Sequence, residues 1–91
     1  MKYAIRPTKR FQKDLKRAQK RGYSIDRLTE LIRKLANGEP LPAKYKDHPL
    51  TGDYAECRAC HITPDWLLIY ELADDELILY LMRTGTHSDL S

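Results

Sequence analysis

YAECRACHITPDWLLIYELADDELILYLMR, residues 54–83, decides the fold. It holds three strand-length runs, Tyr54 to Ile62, Trp66 to Leu72 and Glu76 to Arg83, cut by two short turns, Thr63-Pro64-Asp65 and Ala73-Asp74-Asp75. Turns this short join neighbouring antiparallel strands, so the stretch predicts a three-stranded meander. Ile69, Tyr70 and Leu77 to Leu81 do not alternate with polar residues, which predicts strands covered on both faces at the sheet centre.

Working towards the N-terminus, residues 39–53 contain Pro40, Pro42, Pro49 and Gly52, which forbid a continuous helix or a central strand. A loop of this length is uncommon in a compact domain and is often functional; this one carries Lys44, Tyr45, Lys46, Asp47 and His48. Before it, two apolar stripes at helical spacing stand out. Phe11, Leu15 and Ala18 follow the N-cap candidate Thr8 and end at Gly22, and Leu28, Leu31, Ile32 and Leu35 follow Ser24 or Asp26 and end at Asn37-Gly38. Tyr3 and Ile5 form a short strand stopped by Pro7, and Thr84 to Ser91 reads as a polar tail. The order βααβββ predicts an α+β fold, with two N-terminal helices packed on one face of a small antiparallel sheet.

The chain has 91 residues, 42% hydrophobic and 32% charged, which predicts one folded domain over residues 1–91 and excludes wholesale disorder. No apolar run approaches the roughly 18 residues of a membrane span. Met1 leads directly into a charge-dense segment without an apolar signal-peptide region, so the cytoplasm is the expected compartment. The net charge of +3 is unevenly distributed. Residues 1–21 carry nine basic side chains against the single acid Asp14, a balance of +8, and the remainder carries seven against twelve, a balance of −5. Such a block suits phosphate or an acidic protein partner.

Cys57-Arg58-Ala59-Cys60-His61 matches the c-type haem attachment pattern. In a strand, however, Cys57 and Cys60 differ by an odd number and point to opposite faces, so they can share neither a porphyrin, nor a metal, nor a disulfide. The reading of this segment is two half-buried cysteines.

His48, His61, Asp65, Arg83 and His87 all fall at element ends. In a meander the first and third strands run parallel, so Arg83 can reach the sheet edge that holds His61 and Asp65. Histidine titrates near neutrality and can act as base or acid, and an arginine stabilises phosphate charge. These residues lie in three ordered blocks: Lys46-Asp47-His48-Pro49-Leu50-x-Gly52, then Arg58-x-x-His61-x-x-Pro64-Asp65-Trp66-Leu67-Leu68-Ile69-Tyr70, then Arg83-Thr84-Gly85-Thr86-His87. Together with Phe11-x-Lys13-Asp14 and Leu41-Pro42, they resemble the YafQ-like branch of the RelE/ParE toxin superfamily over nearly the whole chain.

The resemblance implies a RelE-like fold and a type II toxin, an endoribonuclease that cuts messenger RNA on the ribosome and is held inactive in a hetero-oligomer with a cognate antitoxin. Metal-free cleavage of this kind needs a base for the 2′-OH, an acid for the 5′-oxygen and a charge clamp for the phosphorane, with no cofactor. His48, His61 and His87 are the candidates for proton transfer, Asp65 for orienting a histidine and Arg83 for clamping phosphate. Lys9, Lys13, Lys16, Arg17, Lys20, Lys46, Arg58 and Trp66 are the candidates for RNA or ribosome contact, with core packing the favoured reading of Trp66 over base stacking. Arg58 is expected on the strand face opposite His61. Two departures stand out: Ala59 and Ser91 occupy positions where the family often has an acid and an aromatic. The alternatives are a non-enzymatic ParE-like inhibitor of DNA gyrase, which lacks a need for the histidines, and a general RNA-binding domain, for which no RRM or KH signature is present.

Overall fold

A computed structural model describes all 91 residues, Met1–Ser91. The main elements are β1 (Ala4–Pro7), α1 (Lys9–Lys20), α2 (Ile25–Ala36), β2 (His48–Pro49), β3 (Arg58–Thr63), β4 (Trp66–Ala73), β5 (Ile78–Gly85) and α3 (His87–Leu90). The sheet order is β1-β5-β4-β3-β2, which puts β4 at the centre. No helix is long and apolar enough to cross a membrane.

The helices start and stop where their caps dictate. Thr8 is extended at the N-cap of α1, and its hydroxyl accepts the Phe11 N–H at 3.1 Å while donating to the Met82 carbonyl at 3.1 Å. Ser24 occupies the N-cap position of α2 in extended conformation, without a side-chain capping bond, and Asp26 lies in the first turn. Gly22 and Gly38 follow the two helices with φ of +77° and +75°, left-handed exits that glycine adopts without a Cβ penalty. Phe11 and Ala18 of α1 and Leu28, Leu31, Leu35 and Ala36 of α2 pack on one sheet face against Cys60, Ile62, Trp66, Leu68, Tyr70, Leu79 and Leu81. Burial of each such leucine contributes roughly 1.5–3 kcal/mol.

The opposite sheet face has its own smaller cluster. Cys57, Ala59, Leu67 and Ile69 are buried there beneath Leu50, Tyr54, Met82 and Leu90. The central strand is therefore covered on both sides, as its unbroken apolar run predicts. Cys60 and Cys57 fall in different clusters and are both free thiols, in line with the odd spacing between them.

The structure refines the expected α+β arrangement in four places. The sheet is mixed, because β1 pairs with β5 in parallel, Ala4 opposite Ile78 and Pro7 opposite Leu81. Pro7, which lacks an N–H, is tolerated because β1 is an edge strand. The long loop is not featureless: it contains short 3₁₀ turns at Ala43–Tyr45 and Gly52–Tyr54 and the two-residue β2, so that β3 begins at Arg58 and not at Tyr54. The last strand begins at Ile78, since residues 74–77 form the turn, with exposed Leu77 at φ +56°. The tail is ordered by a capping box. The Thr86 hydroxyl accepts the Asp89 N–H and the Asp89 carboxylate accepts the Thr86 N–H, which starts α3 directly after β5.

A bulge in the β4–β5 ladder decides where Arg83 lies. Leu79 and Leu81 face the helices, and simple alternation would send residue 83 the same way. The register steps from Tyr70 opposite Leu81 to Ile69 opposite Arg83, an extra residue in β5. Directly opposed residues share a face, so Arg83 joins Ile69 on the side away from the helices.

Candidate active site

Three cross-strand pairings gather the histidines. His48 opposes Ala59 across β2 and β3, His61 opposes Leu67, and Leu67 opposes Gly85, two residues before His87. All of these positions belong to the sheet face away from α1 and α2. The His48 and His61 rings lie 6.4 Å apart, and the His61 and His87 rings 5.7 Å apart. His48 and His87 are exposed, and His61 is half-buried. A floor of Ala59, Leu67 and Ile69 underlies the row.

The three rings share one hydrogen-bonding polarity. His48 Nδ1 is 2.8 Å from the Lys46 carbonyl oxygen, and His61 Nδ1 is 3.2 Å from that of Pro64. A carbonyl oxygen only accepts, so each Nδ1 carries a proton and donates it, leaving Nε2 as the acceptor of the neutral ring. His87 Nδ1 faces Asp65 Oδ1 at 3.4 Å, and a carboxylate oxygen at that nitrogen favours the same tautomer. The site thus presents three Nε2 atoms that can take or, once protonated, give a proton.

The loop bearing His48 is held from below. Lys46 adopts a left-handed conformation, φ +49°, which turns its carbonyl to His48. The next residue, Asp47, accepts the Tyr70 hydroxyl at 2.8 Å and the Arg58 Nε–H at 3.2 Å. Burial, together with the Asp47 carboxylate, pushes the Tyr70 phenol well above its ordinary range. Neither Asp47 nor Tyr70 is among the site candidates read from the sequence, although both lie in the quoted blocks.

Arg83 is not a free guanidinium. Its Nε and Nη2 donate to the two oxygens of Asp14 at 2.6 and 3.2 Å, and its side chain is 12% exposed. Asp14 raises the Arg83 pKa, which secures its charge, and Tyr54 is a further neighbour. Of the five guanidinium N–H groups two are engaged by Asp14, and Tyr54 stands against the remainder. Asp14 also accepts the Thr84 N–H at 3.2 Å, on the part of β5 beyond its pairing with β1. A signal for Asp14 was present: it is three residues after Phe11 and four before Ala18, on the buried stripe of α1.

Other candidates separate from the row. Lys9, Lys13, Lys16 and Lys20 of α1 and Lys46 of the loop are exposed. Arg17 is spoken for by Asp14 at 3.3 Å and Asp89 at 3.7 Å, so it is not a free phosphate ligand. Arg58 is paired with Asp47 behind the sheet, as strand alternation predicts. Trp66 is 3% exposed, packed with Tyr23 at 5.0 Å between ring centres, and offers no face to an RNA base; the apolar contacts of its ring make it a core residue. Ala59 is 2% exposed and forms the floor under His48, whereas Ser91 is at the surface.

This small mixed sheet, backed by two helices and bearing an imidazole row on its other face, is the arrangement that the likeness to YafQ-type toxins implies. A family profile described as "Bacterial toxin of type II toxin-antitoxin system, YafQ" matches residues 3–91. The chain is 48% identical over 81 residues to the mRNA interferase toxin YafQ of Escherichia coli K12, covering 88% of this chain and 86% of that protein. It superposes on the crystal structure of YafQ from Escherichia coli BL21(DE3) with a TM-score of 0.90 at 44% identity, covering 97% of both chains. It superposes equally on a chain of the Escherichia coli DinJ-YafQ complex, with a TM-score of 0.89, 45% identity and 97% of both chains covered. The chain belongs to the YafQ family of type II toxin-antitoxin toxins.

Proposed function

We propose that this protein is an mRNA interferase, the toxin of a type II pair, and that residues 1–91 form one toxin domain that cuts ribosome-bound message by metal-free acid–base chemistry. The activity follows its YafQ relatives, which are named for it. The observation that carries the mechanism is the row of three imidazoles, 5.7 and 6.4 Å apart, each with Nδ1 anchored. One Nε2 takes the 2′-OH proton, and the freed oxygen attacks the adjacent phosphorus. A second, protonated ring gives its proton to the departing 5′-oxygen, leaving a 2′,3′-cyclic phosphate. Asp65 orients His87, and the Arg83 guanidinium stabilises the phosphorane charge.

Lys9, Lys13, Lys16 and Lys20 line the outer side of α1 and suit ribosomal phosphates. Lys46, with Arg27 and Lys44, lines a cavity of about 570 Å³ that reaches His61 and also receives Asp26 and Glu30; this is a route for the RNA strand beside the scissile bond. A cognate antitoxin is the expected partner, as DinJ is for YafQ in the solved complex. The cytoplasm is the matching compartment, because ribosome-bound message is there.

The test is translation-dependent cleavage of mRNA in a purified system. Replacement of His61 by Ala or His87 by Gln should lower the rate by about 10²–10⁴-fold each, the usual contribution of one general acid or base. Full-rate cutting by either variant would overturn the assignment. A ParE-like gyrase inhibitor has no use for the imidazole row, and would leave message intact while blocking supercoiling.

A further inference from the structure

His87 sits on a helix of four residues, too short to be stable by itself. Its placement beside Asp65 and His61 therefore depends on contacts from elsewhere. The capping box closes α3 on itself, and the same Asp89 carboxylate then reaches α1. Arg21 Nη1 donates to Asp89 Oδ2 at 2.6 Å and Nη2 to Oδ1 at 3.2 Å, a two-pronged pair, and Arg17 Nη2 stands 3.7 Å from Oδ2. The Asp89 side chain is 13% exposed.

Gly85 makes this approach possible. A Cβ on residue 85 would lie 2.9 Å from Asp89 Cβ and 3.1 Å from Arg17 Nη2, closer than atoms settle without displacement. The pairing continues inward, because Arg17 also bonds Asp14, which grips Arg83. Arg21, Asp89, Arg17, Asp14 and Arg83 thus form a line of alternating charge from α3 along α1 to β5. At its two ends lie the supports of His87 and of the phosphate clamp.

From this juxtaposition we infer that Asp89 and Arg21 form a latch that positions His87 in the imidazole row. Asp89 is a positioning residue: its oxygens are taken by Arg21 and the Thr86 N–H and do not face substrate. An ordinary exposed ion pair holds little. This one differs because a single carboxylate joins a bidentate arginine to a backbone cap, so its loss removes the N-terminal cap of α3 and its tie to α1 together. The inference rests on the reading of His87 as part of the nuclease site.

The experiment compares full-length wild type with Asp89→Ala, Asp89→Asn, Arg21→Met and the Asp89→Ala/Arg21→Met double variant. Two quantities are measured, the kinetics of ribosome-dependent mRNA cleavage and the imidazole ¹H–¹⁵N resonances of the three histidines. Loss of the latch should lower kcat by about 10- to 10²-fold with KM within about twofold, as misplacement of one acting group does. Arg21→Met, which leaves the cap in place, should cost less than Asp89→Ala, and the double variant no more than Asp89→Ala alone. Asp89→Asn, which keeps the cap acceptor, should fall between. His87 resonances should shift and broaden while those of His48 stay in place.

Wild-type kcat in Asp89→Ala, additive losses in the double variant, or slowed cleavage with unmoved His87 signals would each overturn the latch. Should Asp89→Ala fail to fold, Arg21→Met and Asp89→Asn decide the same question. A wild-type protein that cuts no message sinks the nuclease reading, while the His87 resonances still decide whether the latch holds α3.

Discussion

Asp47 anchors the site most directly, although the sequence draws the eye to its neighbour His48. Its carboxylate accepts from Tyr70 and Arg58, tying the active-site loop to the back of the sheet. Tyr70→Phe removes one hydrogen bond and should cost about 0.5–1.5 kcal/mol. Asp47→Ala additionally strands the hydroxyl of Tyr70, which is 1% exposed, and should cost about 1–3 kcal/mol. Chemical denaturation of the two variants gives both values, and equal stability in Asp47→Ala and wild type would refute the tie. The histidines were legible because their chemistry is scarce in so short a chain. The carboxylates that hold the site were less so, since Asp is common on surfaces and only burial separates a tether from a solvated charge.

At the scale of elements, the helices and the three long strands were readable from period and caps, and their ends moved by a few residues where turns compete with strand. Two local features were hidden. The β-bulge that turns Arg83 to the site face has no signature in an apolar run, because it is a property of the pair of strands. The other is α3, read as a tail although Thr86-x-x-Asp89 is a capping-box pattern. Its ion pair sets a pH expectation. The Arg21 guanidinium, the Thr86 backbone and hydroxyl donors and the Arg17 charge hold the Asp89 carboxyl well below the usual carboxylate range. A depressed folded-state pKa stabilises above the unfolded value of about 3.9 and loses that contribution as pH falls through the folded value. The docking of α3 should therefore be constant between about pH 5 and 8 and weaken only under acid below about pH 4. Amide resonances of residues 86–90 followed through an acid titration test this; release of α3 near neutral pH would contradict it.

For the whole molecule, charge and burial pull apart into two systems. The α1 lysines stay exposed and free for phosphate, whereas Asp14 is committed to an ion pair that ties α1 to Arg83 of β5. Each Lys→Ala change among Lys9, Lys13, Lys16 and Lys20 that removes a phosphate contact should weaken ribosome association and reduce its log–log salt slope by about 1. A slope unchanged in all four variants would remove α1 from the interface. Asp14→Ala is a different kind of loss: it takes the carboxylate from the half-buried Arg83 guanidinium and from the buried Thr84 N–H, and should cost about 1–3 kcal/mol and lower Tm accordingly, measured by thermal unfolding. The amino-acid sequence by itself determined the succession of β1, α1 and α2 and then of β3, β4 and β5, the two-sided burial of the central strand and the identity of the imidazole set, because period, caps and residue chemistry are local properties. Only the tertiary structure decided that β1 runs parallel to β5, that Arg83 turns to the site face, that Trp66 is enclosed and that Asp89 meets Arg21. Each of these is a contact between segments distant along the chain, whose outcome depends on pairing register and packing and not on either segment alone.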